Sequence, residues 1–137
     1  MTKLEAIEMA KIELKKRGYK KIRNHWILTN EYYYISFNIQ GSQWNKDDYY
    51  VNFLIDNVNK YVGKPLIFTT INHRFFSKVH KEDNDGQTNP NIMEAINQLD
   101  LLVKSYFQIP VDNLVKDDHF TSKFRLSQVQ INKLTKW

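Results

Sequence analysis

Four histidines, His25, His73, His80 and His119, are the first candidates for catalysis or metal binding in a chain without cysteine. None has a second histidine four residues on, the spacing that turns two imidazoles toward one zinc ion on a helix face, and no thiolate is there to complete a set. No metal site and no cofactor are expected. The carboxylate pairs Asp47-Asp48 and Asp117-Asp118 are adjacent in sequence. Neighbouring side chains on a loop diverge, whereas general acid–base work needs carboxylates that converge across a cleft. Asp83-Asn84-Asp85-Gly86 opens like a calcium loop, but the twelfth position falls inside a helix that Pro90 begins, so a solvated turn is the better account. Four glycines leave no nucleophile elbow, no phosphate-cradling loop and no dinucleotide fingerprint. One enzymatic candidate is left, the neighbours His73 and Arg74. The chain reads as a non-enzyme with no catalytic residue.

Recognition is better supported by residue type than catalysis is. Tyr33, Ile35, Phe37 and Ile39 alternate with Tyr32, Tyr34, Ser36, Asn38 and Gln40, and Tyr49, Val51, Phe53 and Ile55 alternate with Tyr50, Asn52, Leu54 and Asp56. A strand sends successive side chains to opposite faces, so the first member of each set builds a core face and the second an outer face. Core residues must share a side. Antiparallel pairing therefore joins positions of equal parity and sets Asn38 opposite Tyr50 or Asn52. Tyr32, Tyr34, Tyr50 and the loop residue Trp44 offer large, stiff contact area, and Asn38, Gln40 and Asn52 add orientable hydrogen bonds, a mixture suited to binding a protein. The competing account is that a second layer, such as the second helix, covers this face and that Asn38 and Asn52 only satisfy each other.

Charge marks a second surface. Residues 1–25 hold eight basic side chains against three acidic ones, and residues 26–137 hold twelve of each, so the whole net charge of +5 lies near the first helix. Lys15, Lys16, Arg17, Lys20, Lys21 and Arg23 form this basic patch. Beside Tyr19 and Trp26 it could hold single-stranded nucleic acid by charge and stacking. The plainer account is that Lys15 to Arg17 complement the negative end of a helix.

The elements that must position these residues are legible from caps and periodicity. Thr2 to Glu5 is a capping box and Gly18 a C-terminal cap, giving a helix from about residue 3 to 17 with Leu4, Ala6, Ile7, Ala10 and Leu14 on one side. Strands are expected over 24–29, 32–40 and 49–56, and a fourth over 65–71 with proline at its start. Residues 80–89 carry no apolar side chain and read as an exposed loop. Asn89-Pro90 then opens a helix whose stripe is Ile92, Ile96, Leu99, Val103 and Tyr106, ending at Pro110. A turn near 112–116, a polar link over 117–119 and a final helix from Ser127 to Trp137, with Val129, Leu134 and Trp137 apolar, complete the chain.

Together these predict one α+β domain over 1–137: an antiparallel β-meander of about four strands, packed by the N-terminal helix and a second long helix, with a short C-terminal helix. Apolar residues make up 42% and aromatic residues 14% of the sequence, enough material for one core. No apolar run approaches the roughly 18 residues a membrane span needs, and the charged N-terminus is unlike a signal peptide, so a cytoplasmic protein without membrane association is expected.

The run Gly18-Tyr-Lys-Lys, then Trp26, Asn38-Ile-Gln40, Ser42, Trp44 and Tyr50-Val-Asn52-Phe resembles a bacterial family known as the domain of unknown function numbered forty-three zero four. Tyr19 stands where that family usually has Phe, and Asn24 or a neighbour replaces its usual Gly. The resemblance covers roughly residues 4–56 and implies an α+β fold in a bacterial cytosol, with no activity attached. Small single-domain proteins of this kind often stand beside toxin genes. By analogy, a protein-binding module of immunity or antitoxin type, with a toxin as its partner, is the first functional expectation, and nucleic-acid binding through the basic patch is the second.

Overall fold

A computed structural model describes residues 2–41, 48–77 and 92–136. The chain opens with helix α1 (Lys3–Lys16), whose capping box is complete: Thr2 Oγ1 accepts from the Glu5 amide and Glu5 accepts from the Thr2 amide. Its far end is a Schellman motif. The Tyr19 amide donates to Leu14 O and the Gly18 amide to Lys15 O, with Gly18 at φ +91°, a left-handed conformation that glycine adopts without Cβ strain. Ala6, Ala10 and Leu14 are the buried positions of α1. Leu4, expected on this stripe, is instead 75% exposed, because the two alanines let the helix lie close on the core and set its contact line.

Five strands follow: β1 (Lys20–Ile22), β2 (His25–Thr29), β3 (Tyr33–Gly41), β4 (Tyr49–Asn57) and β5 (Ile71–Ser77). They form one antiparallel sheet in chain order. The parity argument holds along β3 and β4, where Ile35 faces Ile55, Phe37 faces Phe53, and Asn38 faces Asn52. Two strand expectations are corrected. Lys20–Ile22, where the basic patch was expected and no strand, is an edge strand, and edge strands carry charge readily because one side meets solvent. Residues 65–70 are not a strand. The Leu66 amide donates to Tyr34 Oη and the Thr70 amide to Asp56 Oδ2, while Pro65 has no amide hydrogen, so these groups cannot form a ladder; the strand begins at Ile71.

The remaining helices are α2 (Ile92–Ser105), α3 (Val111–Leu114), α4 (Asp118–Lys123) and α5 (Gln128–Thr135). Ile92, Ile96, Leu99 and Val103 are buried as their spacing requires, and Tyr106 packs half-buried beyond the end of α2. The segment read as a polar link is the start of α4, where Asp117 Oδ1 accepts from the His119 and Phe120 amides as an N-cap. Ser127 caps α5 in a second capping box, and of its expected apolar residues Leu134 is buried while Val129 is 62% exposed. Buried residues of α1, α2, α3, α4 and α5 join the core face of the sheet in one cluster. Rings run through it from Trp26 by way of Phe37, Phe53, His73, Phe124, Phe120 and Phe107 to Tyr33, each pair of centroids 5.1–6.2 Å apart. The second helix therefore covers the core face, not the outer face. Trp44, Asp47, His80, the 80–89 loop with its Asp83–Gly86 turn, Asn89-Pro90 and Trp137 lie outside the described residues.

Candidate functional site

Among the described residues, the outer face of the sheet is covered at one end only. Past β4 the chain makes a single 3-10 turn (Val58–Lys60), capped by Asn57, and the segment to Thr70 folds back over Tyr34 and Asp56. Tyr34 packs on Tyr61, ring centroids 5.2 Å apart, and its hydroxyl accepts from the Leu66 amide at 3.1 Å. Burial raises its phenol pKa, opposed by that hydrogen bond. Asp56, buried, accepts from Lys60 Nζ at 2.9 Å, the Asn57 amide at 2.8 Å, and the amide and hydroxyl of Thr70. Tyr34, expected as a contact residue, is 0% exposed and serves instead to pin this segment. Tyr32, just ahead of β3, is half-buried edge-on to Tyr33 and away from the open region.

No other described residue covers the rest of the face, and sheet register decides what it carries. Ile22 pairs His25, His25 pairs Asn38, Asn38 pairs Asn52 and Asn52 pairs Arg74, a single row across all five strands. Asn38, Asn52 and Arg74 are bonded in series. Asn38 Nδ2 donates to Asn24 O at 3.0 Å, Asn52 Nδ2 donates to Asn38 Oδ1 at 3.0 Å and to Gln40 Oε1 at 3.3 Å, and Arg74 Nε donates to Asn52 Oδ1 at 2.8 Å. Arg74 Nη2 also donates to Gln40 Oε1 at 3.0 Å, and the guanidinium stacks 4.6 Å from the centre of the Tyr50 ring. His25 Nδ1 lies 2.9 Å from the buried Ser36 Oγ, and burial lowers its pKa, favouring the neutral ring.

Over this row lies a groove of roughly 400 Å³, with Arg23 and His25 toward β1, Arg74 toward β5, Leu54 in its floor and Leu66 and Ile67 as a lip. No carboxylate lines it among the described residues. Ile67 and its neighbour Phe68 are each 88% exposed. The groove thus offers hydrogen-bond donors, positive charge and an apolar rim, and the hydroxyl that His25 meets, Ser36 Oγ, is buried beneath it. Of the expected binding residues, Asn38, Gln40, Tyr50 and Asn52 come together here, and Tyr32 and Tyr34 do not.

Several other expectations are redrawn by the geometry. His73 and Arg74 are successive strand residues and so point to opposite faces, His73 toward Phe53 and Phe124 and Arg74 into the groove. They cannot act on one substrate atom. The basic patch divides as well. Arg17 donates to Asn97 Oδ1 at 2.9 Å and lies 3.8 Å from Asp100, tying α1 to α2; Lys16 lies 3.5 Å from Glu13; Lys21 lies over the Trp26 ring; and Arg23 lines the groove. Tyr19 and Trp26, expected as stacking surfaces, are both buried. Among the described residues no three or more of His, Asp and Glu converge as metal ligands would, and no helix is long and apolar enough to cross a membrane. Arg74, considered in the sequence only beside His73, lines the groove and bonds Asn52. With the strand placed at 71–77, parity alone sets it beside Asn52.

The model of the family described as "Domain of unknown function (DUF4304)" matches residues 11–107, more than half of the chain and all five strands. No curated protein and no solved structure matches the chain.

Proposed function

The chain belongs to the DUF4304 family, whose description carries no activity, and from its own surface we propose that it is a stoichiometric protein-binding module of immunity or antitoxin type, working without catalysis in a bacterial cytoplasm. One observation carries this: the outer row of Asn38, Asn52 and Arg74, with His25 beside it, is left open by the described residues and is already held in place by hydrogen bonds. A sheet face that is only solvated can hold long, mobile charged side chains. Here the side chains are short amides and a stacked guanidinium, which lose little conformational freedom on binding. The apolar lip of Leu66, Ile67 and exposed Phe68 adds the kind of surface that a protein partner desolvates.

Co-expression with the product of an adjacent toxin gene tests the proposal. The expected result is rescue of growth and a stable complex on size exclusion, both lost in Leu54→Arg, which fills the groove floor without touching the core face. Rescue by Leu54→Arg equal to that by the unaltered protein would remove the groove from the mechanism.

A further inference from the structure

Resting on that reading of the outer face, we infer that the partner's anchor is the carboxylate of an acidic side chain, received end-on by Arg74. A guanidinium has five N–H donors. Arg74 uses one on Asn52 Oδ1 and one on Gln40 Oε1, leaving both hydrogens of Nη1 and one of Nη2 without a partner among the described residues. One hydrogen of Nη1 and one of Nη2 point off the outer end of the fork, the edge that takes a carboxylate in two parallel bonds. Tyr50 beneath the plane and the two amide bonds fix the fork's direction, so little rotamer entropy is lost on capture. No acid lines the groove among the described residues, so its charge is uncompensated and complements an anion.

The arrangement favours a side-chain carboxylate over a phosphate. The second guanidinium, Arg23, sits at the turn between β1 and β2, three strand positions from β5. At about 4.8 Å between strands their backbones stand roughly 14 Å apart, and Arg74 is held over Tyr50 by Asn52 and Gln40, so the fixed fork presents one cation to its ligand. Leu54, Leu66 and Ile67 stand in the same groove, so the fitting ligand is a singly charged group next to apolar surface, as in an acidic residue flanked by an aliphatic one.

The probes are the blocked dipeptides acetyl-Glu-Leu-amide and acetyl-Gln-Leu-amide and inorganic phosphate, each titrated into the ¹⁵N-labelled protein. The glutamyl peptide should shift the Arg74 Nε–H and Asn52 side-chain amide signals saturably, and bind about tenfold more tightly than the glutaminyl peptide, the ratio that about 1.4 kcal/mol represents. Arg74→Gln, with its fold checked by circular dichroism, should abolish the response and Arg74→Lys should keep a weakened one. No saturable response, equal binding of the two peptides, tighter binding of phosphate, or an undiminished response in Arg74→Gln overturns the inference. In the toxin complex the two proposals separate. If Leu54→Arg breaks the complex and Arg74→Gln does not, the carboxylate anchor is wrong and the face is right; if neither breaks it, both fail.

Discussion

Asn52 shows how much one side chain on the outer face can decide. Its amide nitrogen donates to Asn38 and Gln40 while its carbonyl oxygen accepts from Arg74, so both ends of the amide are used and their order matters. Asn52→Asp keeps the shape and removes the donor. The new carboxylate would satisfy Arg74 strongly but meet the Asn38 and Gln40 oxygens without a hydrogen. The expected outcome is a folded protein, destabilised by about 1–3 kcal/mol in urea unfolding, whose groove no longer takes an anion because its guanidinium is already neutralised. Asn52→Leu should cost a similar amount for a different reason, since it strands Arg74 Nε and Asn38 Oδ1 without partners.

At the scale of elements, the segment from Val58 to Thr70 is a lid on half of the outer face, and Asp56 fastens it. That buried carboxylate gathers an ammonium, two backbone amides and a hydroxyl. Asp56→Ala leaves the half-buried Lys60 facing a vacated site, and loss of about 3–5 kcal/mol is expected in chemical denaturation. Hydrogen exchange at the Leu66 and Thr70 amides should rise as well. Because Leu66 and Ile67 form the lip of the groove, the variant should also weaken binding at a distance from Arg74. Asp117, which pairs with Asp118 in sequence, does its work as a helix cap: Asp117→Ala should cost about 1 kcal/mol in thermal or urea unfolding and leave binding unchanged.

The whole molecule carries a pH dependence set by the rings its fold desolvates. His25 and His73 have pKa values lowered from the ordinary 6.5, both mainly by burial, with Lys123 adding to the effect at His73. The unfolded chain therefore binds more protons just below that value. The stability these neutral rings contribute is full above about 6.5 and is lost as pH falls through their folded pKa values. At the other limit, burial raises the phenols of Tyr19 and Tyr33 well above the ordinary 10.0, so the unfolded chain ionises first and stability falls as pH rises past 10. Urea midpoints should form a plateau between about pH 7 and 10. Replacing His25 and His73 with glutamine should flatten its acid shoulder, and a shoulder unchanged by both substitutions would assign it to other groups.

Much of this architecture was legible in the residues themselves. The alternation from Tyr33 to Ile39 and from Tyr49 to Ile55 specified both faces of the central strands and their parity, since a one-residue slip would have turned every ring into solvent. The stripe from Ile92 to Val103 and the capping boxes at Thr2 and Ser127 likewise announced their helices, because caps and helical spacing are local physics. Three matters were settled only by tertiary contact. Which face the helices cover follows from packing between distant segments. Whether 65–70 joins the sheet turned on Tyr34 and Asp56, which draw the Leu66 and Thr70 amides away from any ladder. The row that brings Arg23, His25, Asn38, Asn52 and Arg74 into one groove depends on the register of five strands at once. Alternation along one strand can assign a side chain to a face, but only pairing with its neighbours can say beside what.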